Sequence, residues 1–291
     1  MEERRVTTRI LSALVYGAIF IAFLALGAWQ PVLMLVFWLA LAFQAGRELQ
    51  TLVPASDPKP SLFFCLWQNL ALILPAFFPY TPGDPSQSAA TAFKAFLYFL
   101  TWQLVVAIVQ CFFYLHREGI SSLDASLSAF SRNFYLSLGF FSATYLLFCL
   151  PYGWHSLLWA LLTPWVTDSL AWLVGSLYGK HALTPISPNK TLEGFFAGLI
   201  GPGIFYILIF LRVRAELGLA FYHILAFFLF GLLAGLVAQL GDLFESSLKR
   251  AAGVKDSGQL IPGHGGLLDR FDSSLFVLPL FAILLSLAWL P

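Results

Sequence analysis

The stretch FYHILAFFLFGLLAGLVAQL, Phe221–Leu240, runs without a break into GDLFESSLKRAAGVKDSGQLIPGHGGLLDRFD, Gly241–Asp272, and this junction decides the fold class. The first part carries no Asp, Glu, Lys or Arg. An apolar run of about 20 residues is what a helix needs to cross a bilayer. The second part gathers the acids Asp242, Glu245, Asp256, Asp269 and Asp272 with Lys249, Arg250, Lys255, His264 and Arg270. Clustered carboxylates suit a hard divalent cation. Clustered Lys and Arg suit phosphates. Together they point to metal-assisted phosphoryl chemistry at a membrane face.

The rest of the chain agrees with a membrane setting. It has 291 residues, of which 59% are hydrophobic and 11% charged, with a mean hydropathy of +0.81. A soluble domain carries about 25% charged residues. The expected fold is therefore all-α, a polytopic integral membrane protein. Nine apolar runs are candidate spans: Ile10–Ala28, Pro31–Ala45, Ser61–Phe78, Phe93–Leu115, Phe134–Leu150, Ser156–Tyr178, Leu192–Leu211, Phe221–Leu240 and Ser273–Leu290. The second and fifth are the shortest. The first lacks a small-residue cleavage site and reads as a retained span. With the amino terminus in the cytoplasm, only Lys94, Arg212 and Arg214 of the 16 Lys and Arg residues fall outside, as the positive-inside rule requires. The charged stretch then faces the cytoplasm, where nucleotides are.

Residues 1–150 are apolar and aromatic with plain loops, and read as a scaffold half. Residues 151–291 hold nearly all the chemically suggestive side chains and read as a catalytic half, with cytoplasmic loops at 179–193 and 241–272. The two halves are expected to form one integral domain. Cys65, Cys111 and Cys149 lie in apolar runs without ligand spacing and read as packing residues. The net charge of +1 points to no particular partner, and no nucleic acid is expected.

Asp242, Glu245, Ser246 and Lys249 stand at i, i+3, i+4 and i+7, one face of a helix that continues the eighth span. A solvated juxtamembrane helix with a Glu245–Lys249 pair accounts for the same spacing. In Ile261–Gly266, three glycines and a proline surround His264; such a loop lets backbone N–H groups approach an anion, or it is simply a turn between spans. Asp269 and Asp272 stand at i and i+3, where the dipole of the ninth span's helix also favours acids.

Two further elements belong to the carboxyl half. Asp168 sits mid-span in LLWALLTPWVTDSLAWLVGSLYGK, Leu157–Lys180. A charge at that depth costs roughly 2.5–3.5 kcal/mol, so it is expected to face a polar cavity or to bond a neighbouring helix. In the loop Gly179–Glu193, Lys190 and Thr191 precede the seventh span. A hydroxyl and an ammonium at a helix amino terminus suit a phosphate, although Thr191 also suits an N-cap.

The stretch Ser246–Asp272 resembles the CDP-diacylglycerol synthase (phosphatidate cytidylyltransferase) family. That pattern runs Ser-x-apolar-Lys-Arg, then Lys-Asp-x-small, then apolar-Pro-x-His-Gly-Gly-apolar-x-Asp-Arg-apolar-Asp, and each fixed position is matched. Upstream, TDSLAWLVGSLYGK and SPNKTLEGFFAGLIG also resemble the family. Asn189 stands where the pattern has a first lysine, and Ala197 where it has the first glycine of a pair. The resemblance covers about residues 165–275.

Such enzymes join CTP to phosphatidic acid, giving CDP-diacylglycerol and pyrophosphate. The resemblance implies Mg²⁺ as cofactor, with Asp242 and Asp269 as metal ligands and Asp272 as a further acid. It implies phosphate contacts from Ser246, Lys249, Arg250, Lys255, His264 and Arg270, and from Lys190 and Thr191. Asp168 would shape the cavity. It also implies a multi-pass protein of the inner (plasma) membrane whose active site faces the cytoplasm, and a homodimer. Two other readings compete. A CDP-alcohol phosphatidyltransferase needs an Asp-Gly dipeptide, which this chain lacks. A transporter would place its essential residues at the midplane, around Asp168.

Overall fold

The computed structural model describes residues 30–53, 61–81, 85–119, 123–185, 187–260 and 265–289, together with isolated helical positions before residue 30. Nine α-helices and one hairpin appear among them: α1 Pro31–Leu49, α2 Leu62–Asn69, α3 Pro85–Glu118, α4 Leu123–Cys149, α5 Gly153–Tyr178, β1 Ala182–Thr184, β2 Ser187–Thr191, α6 Leu192–Val213, α7 His223–Ala251, α8 Leu268–Phe271 and α9 Ser274–Trp289. α2 runs on as a 3-10 helix, Leu70–Phe77, which contains Pro75.

Five helical segments are long and apolar enough to cross a membrane: Val32–Leu52, Gln87–Arg117, Gly153–Tyr178, Leu192–Val213 and His223–Ala251. Leu62–Phe77 and Ser274–Ala288 are shorter apolar helices. The first candidate span, Ile10–Ala28, lies largely outside the described residues. Several helix boundaries differ from the apolar runs, and two of them show why. α1 continues past Ala45 to Leu49, and α4 begins at Leu123 rather than Phe134. In both, polar residues lower the local hydropathy without breaking the helix. Hydropathy marks depth in a bilayer; helices end where backbone bonds end.

The chain divides into two compact units. The first comprises the described residues of Met1–Leu158, Leu248–Phe271 and Phe281–Pro291. Its centre is α4, which packs against α1, α2, α3 and the 3-10 segment. Buried polar groups stitch these helices together. Gln68 Nε2 donates to Gln103 Oε1 at 3.0 Å, Gln103 Nε2 to Ser137 Oγ at 2.7 Å, and Ser137 Oγ to the Gln68 carbonyl at 3.0 Å. In an apolar solvent such cross-helix bonds and close packing replace a hydrophobic driving force. Trp38 meets Phe140 and Phe271 at ring separations of 5.9 and 6.0 Å. On α3, by contrast, Leu104, Ile108 and Phe112 are 61%, 47% and 68% exposed. A stripe of bare large apolar side chains at helical spacing is what lipid contact requires.

The second unit comprises Trp159–Ser247 and Asp272–Leu280. It holds most of α5 and α7, all of α6, and the hairpin. Here small residues let backbones meet. A Cβ at Gly231 of α7 would lie 2.4 Å from the Pro202 carbonyl of α6, and one at Gly194 would lie 2.6 Å from the Ala171 carbonyl of α5. Gly198 also meets α5, its would-be Cβ 3.0 Å from that of Ala171, so α6 stays close to α5 with Ala197 in place of a glycine. Thr163 Oγ1 and the Tyr206 hydroxyl, 2.9 Å apart and buried, tie α5 to α6.

The segment 179–193 is not a plain loop. β1 and β2 pair antiparallel, with Ala182 opposite Thr191 and Thr184 opposite Ser187, and a register irregularity between. Among the described residues this hairpin is the one departure from an all-α chain. Pro185 occupies its turn, where proline needs no ladder N–H.

Candidate active site

Two charged clusters emerge, one in each unit. In the first unit α7 delivers Lys249 and the chain from Val254 onward returns to α8, which carries Asp269. Lys249 Nζ lies 2.7 Å from Asp269 Oδ1, with the two side chains 13% and 8% exposed. The other oxygen, Oδ2, accepts from the amide of Ser257 at 3.0 Å, the Ser257 hydroxyl at 2.9 Å and the amide of Gly266 at 2.7 Å. Burial pushes the Asp269 carboxyl up, but the Lys249 hydrogen bond, the Gly266 amide, the ammonium charge and the Ser257 amide outweigh it and hold the group below its ordinary range.

The glycines of this loop are accounted for by that carboxylate and by a second one. A Cβ at Gly266 would fall 2.3 Å from Ser257 Oγ and 2.4 Å from Glu48 Oε2; one at Gly258 would fall 2.9 Å from Glu48 Cδ. Gly265 has φ +83°, and its Cβ would sit 2.6 Å from Asp269 Oδ2. The anions approached by Gly266 are thus the protein's own carboxylates. Glu48, near the end of α1, is 5% exposed. Its Oε2 accepts from the Leu268 amide at 2.8 Å and from Ser257 Oγ at 3.3 Å, and its Oε1 from Gln44 Nε2 at 3.0 Å. Neither Glu48 nor Ser257 is marked by the sequence pattern as a site residue.

In the second unit, Lys190 at the end of β2 forms an ion pair with Asp242 Oδ2 on α7, both side chains about a quarter exposed at 26% and 25%. Ser246 Oγ donates to Asp242 Oδ1 at 3.3 Å. Thr191 Oγ1 accepts from the Gly194 amide at 3.1 Å and so N-caps α6; the oxygen offered to a phosphate by the spacing serves the helix here. Gly241 is closely approached by the Asp272 carbonyl and Ser273 Cα, both 3.0 Å from its would-be Cβ. This fixes the chain that carries Asp272 against the turn of α7 that carries Asp242.

The remaining candidates fall as follows. Asp269 and Asp272 do not share one helix: α8 ends at Phe271, and Asp272 and Ser273 form a turn before α9. The Asp272 carboxylate accepts the Ser273 amide at 2.5 Å, a local bond that competes with continuation of the helix. Arg250, Lys255 and Arg270 are exposed, and Arg250 donates to the Val254 carbonyl at 3.4 Å. Asp168 lies mid-α5 on an exposed face. His264 lies outside the described residues. The three cysteines are free thiols, with Cys65 and Cys149 buried.

The carboxylates provide the donor type Mg²⁺ takes. Among the described residues no three of His, Cys, Asp and Glu are grouped to cage a metal. A Mg²⁺ site completed by waters and substrate phosphates needs only one or two carboxylates. Asp242 fits such a role, being part-exposed with one long hydrogen bond and a lysine partner. Asp269 fits through Oδ1 alone, since Oδ2 is already filled by three donors. In both places a lysine stands beside the carboxylate, ready to pair with a phosphate instead.

Comparison with known proteins gives a consistent result. The family model described as "Cytidylyltransferase family" matches residues 7–288. The chain is 37% identical over 279 residues to the phosphatidate cytidylyltransferase of Staphylococcus haemolyticus, covering 95% of this chain and 98% of that protein. It is 45% identical over 172 residues to the protein of the same name from Staphylococcus saprophyticus, covering 59% and 63%. With the Staphylococcus aureus (strain COL) protein of that name it shares 43% identity over 181 residues, covering 61% and 65%.

Proposed function

The chain belongs to the cytidylyltransferase family and is a nucleotidyltransferase that makes CDP-diacylglycerol and pyrophosphate from CTP and phosphatidic acid; we propose that it does so with the two lysine–carboxylate clusters around Asp242 and Asp269. The observation that supports this most directly is the Lys249–Asp269 pair, held at 2.7 Å by a loop wrapped around the carboxylate.

The lipid phosphate oxygen must attack the α-phosphorus of CTP and expel pyrophosphate. Both reactants are anionic, so the barrier lies in repulsion and misalignment, which positioning and charge neutralisation lower. No protein nucleophile is needed, because the lipid phosphate is already ionised. Asp242 and Asp269 are the proposed Mg²⁺ ligands, with Asp272 as a further acid; the ion, when bound, neutralises phosphate charge and acts as a Lewis acid. Lys190 and Lys249 then exchange their carboxylate partners for phosphate oxygens. Arg250, Lys255 and Arg270, exposed and basic, receive the triphosphate, with Ser246 and His264 as hydrogen-bonding groups, while Thr191, first expected to meet a phosphate, is kept for the N-cap of the following helix. Asp168, on an exposed face of α5, is the proposed polar group shaping the cavity.

The protein is a multi-pass membrane protein. The distribution of Lys and Arg supports an amino terminus and a 241–272 segment in the cytoplasm of a bacterial inner membrane, with nine spans, and the family resemblance supports a homodimer. The division into a scaffold half, 1–150, and a catalytic half, 151–291, remains part of the proposal, with Glu48 of the first half accepting from Ser257 and Leu268 of the second.

The test is transfer of α-phosphorus-labelled CTP into lipid by the purified protein. Phosphatidic acid and Mg²⁺ are expected to give labelled CDP-diacylglycerol, and γ-labelled CTP to release only labelled pyrophosphate. Turnover of another lipid phosphate but not phosphatidic acid would retain the chemistry and change the substrate. No turnover of any lipid phosphate would overturn the reading.

A further inference from the structure

We infer that Glu48, in the apolar amino-terminal part of the chain, is a positioning residue for the reaction: it holds the Ser257–Asp269 loop in the geometry that presents the Asp269 carboxylate. The inference rests on the role given to Asp269 above and goes beyond it in assigning a residue that lies far from the 241–272 stretch in sequence.

The geometry is that of a staple. One carboxylate oxygen, Glu48 Oε2, accepts from the Ser257 hydroxyl at 3.3 Å and the Leu268 amide at 2.8 Å. These donors stand at the two ends of the glycine-rich loop, so a single atom closes it. Leu268 is the residue before Asp269, and fixing its amide fixes the Leu267–Leu268 peptide that leads into Asp269. Ser257 has one hydroxyl proton and two carboxylates in reach. The shorter contact is to Asp269 Oδ2 at 2.9 Å, so Glu48 holds Ser257 more weakly while Ser257 and its amide hold Asp269. Thr51 Oγ1, one turn beyond Glu48, lies 3.0 Å from the Ser257 carbonyl. Ser257 and Leu268 are 1% and 0% exposed, so both donors are shielded from bulk solvent.

Packing supports the same role. The Glu48 carboxylate fills the space that side chains at Gly258 and Gly266 would take. Glycine at both positions is therefore matched to an acid on α1. An ordinary juxtamembrane glutamate would be solvated and would impose nothing on a loop 209 positions away. Burying a carboxylate is costly unless its hydrogen bonds are made; Gln44, Ser257 and Leu268 supply them.

Partners that orient metal-binding groups typically contribute 10–100-fold in metal affinity or activity. The experiment compares the parent, Glu48→Ala, Glu48→Gln, Ser257→Ala and Asp269→Asn as full-length proteins. Two quantities are read: the Mg²⁺ concentration that half-saturates turnover, and the one that half-saturates thermal stabilisation in the presence of CTP. Glu48→Ala and Ser257→Ala are expected to raise both about 10–100-fold. Glu48→Gln, whose amide oxygen can still accept from Leu268 and Ser257, is expected to stay within a few-fold of the parent. A purely structural Glu48 would lower the melting temperature and leave the Mg²⁺ midpoints unmoved, which overturns the inference. Glu48→Gln as impaired as Glu48→Ala also overturns it, since charge rather than acceptor geometry would then be what matters. Should Glu48→Ala not fold, Glu48→Gln and Ser257→Ala decide: a parental midpoint in Ser257→Ala rejects the inference. Asp269→Asn separates the two claims. If that variant keeps turnover and its Mg²⁺ response, the role of Asp269 fails; if it loses both while Glu48→Ala behaves as the parent, only the role of Glu48 fails.

Discussion

The ammonium of Lys249 sits 2.7 Å from Oδ1 of Asp269, at 13% and 8% side-chain exposure. A pair this enclosed is worth more broken than made. Removing one partner of a buried ion pair costs about 3–5 kcal/mol, because the other charge is left uncompensated. Lys249→Ala is therefore expected to lower the melting temperature measurably in a detergent thermal-unfolding assay as well as abolish turnover. A variant of parental stability would mean that the carboxylate is solvated.

The pH dependence follows from the same group. The folded-state carboxyl of Asp269 titrates below its ordinary value of 3.8. A depressed acid contributes stability that is fully present above the unfolded value and is lost as pH falls through the lower folded value. Stability is thus expected to be flat in this respect above about pH 5 and to fall toward strongly acid pH. Melting temperatures from pH 7 downward should decline less steeply in Asp269→Asn than in the parent.

Gly266→Ala tests the space around the loop. The new Cβ would meet Ser257 Oγ at 2.3 Å and Glu48 Oε2 at 2.4 Å, with both neighbours buried. Overpacking of this kind costs about 1–3 kcal/mol. Loss of turnover with a modest drop in melting temperature is expected, and the exposed Gly253→Ala, with open space around its Cβ but φ +70°, should lose stability through backbone strain with smaller loss of activity.

Lys190 and Thr191 are neighbours with separable roles. Thr191→Ala removes the N-cap of α6 and is expected to cost about 0.5–2 kcal/mol of stability. Lys190→Ala removes a phosphate partner from the part-exposed Asp242 pair; the KM for CTP should rise at nearly unchanged stability. Equal effects of the two changes on KM would contradict this separation.

Orientation is open to direct labelling. A cysteine at Lys255, exposed in the 241–272 stretch, should react with a membrane-impermeant maleimide only in inside-out vesicles. One at Leu217, 41% exposed in the turn between α6 and α7, should react in right-side-out vesicles. The reverse pattern would invert the topology.

The charged stretch and the helical, membrane-spanning character were legible because they rest on local signals: a run of apolar residues and a dense spacing of charges. Glu48 was not legible. In GRELQTL, Gly46–Leu52, a lone acid after an apolar run looks like any charge at a membrane edge, and its partners Ser257 and Leu268 lie 209 and 220 positions away. The hairpin was hidden by Pro185 and Pro188, which read as loop, and by strands too short to show alternation. The turn at Asp272 was hidden because Asp269 and Asp272 have helical spacing; the helix end at Phe271 and the Ser273 amide donating to the Asp272 carboxylate mark the break. The early start of α4 was missed because Ser126, Arg132 and Asn133 are polar yet buried, packed against other helices rather than against lipid.

The most direct test of the central claim is CTP-dependent conversion of phosphatidic acid to CDP-diacylglycerol by the parent and by Asp269→Asn, each with Mg²⁺ and with EDTA. Product from the parent that requires Mg²⁺ and disappears in Asp269→Asn is the expected result. A well-folded Asp269→Asn protein with parental, Mg²⁺-dependent turnover would contradict the assignment of this carboxylate, and with it the account of why the loop is built around it.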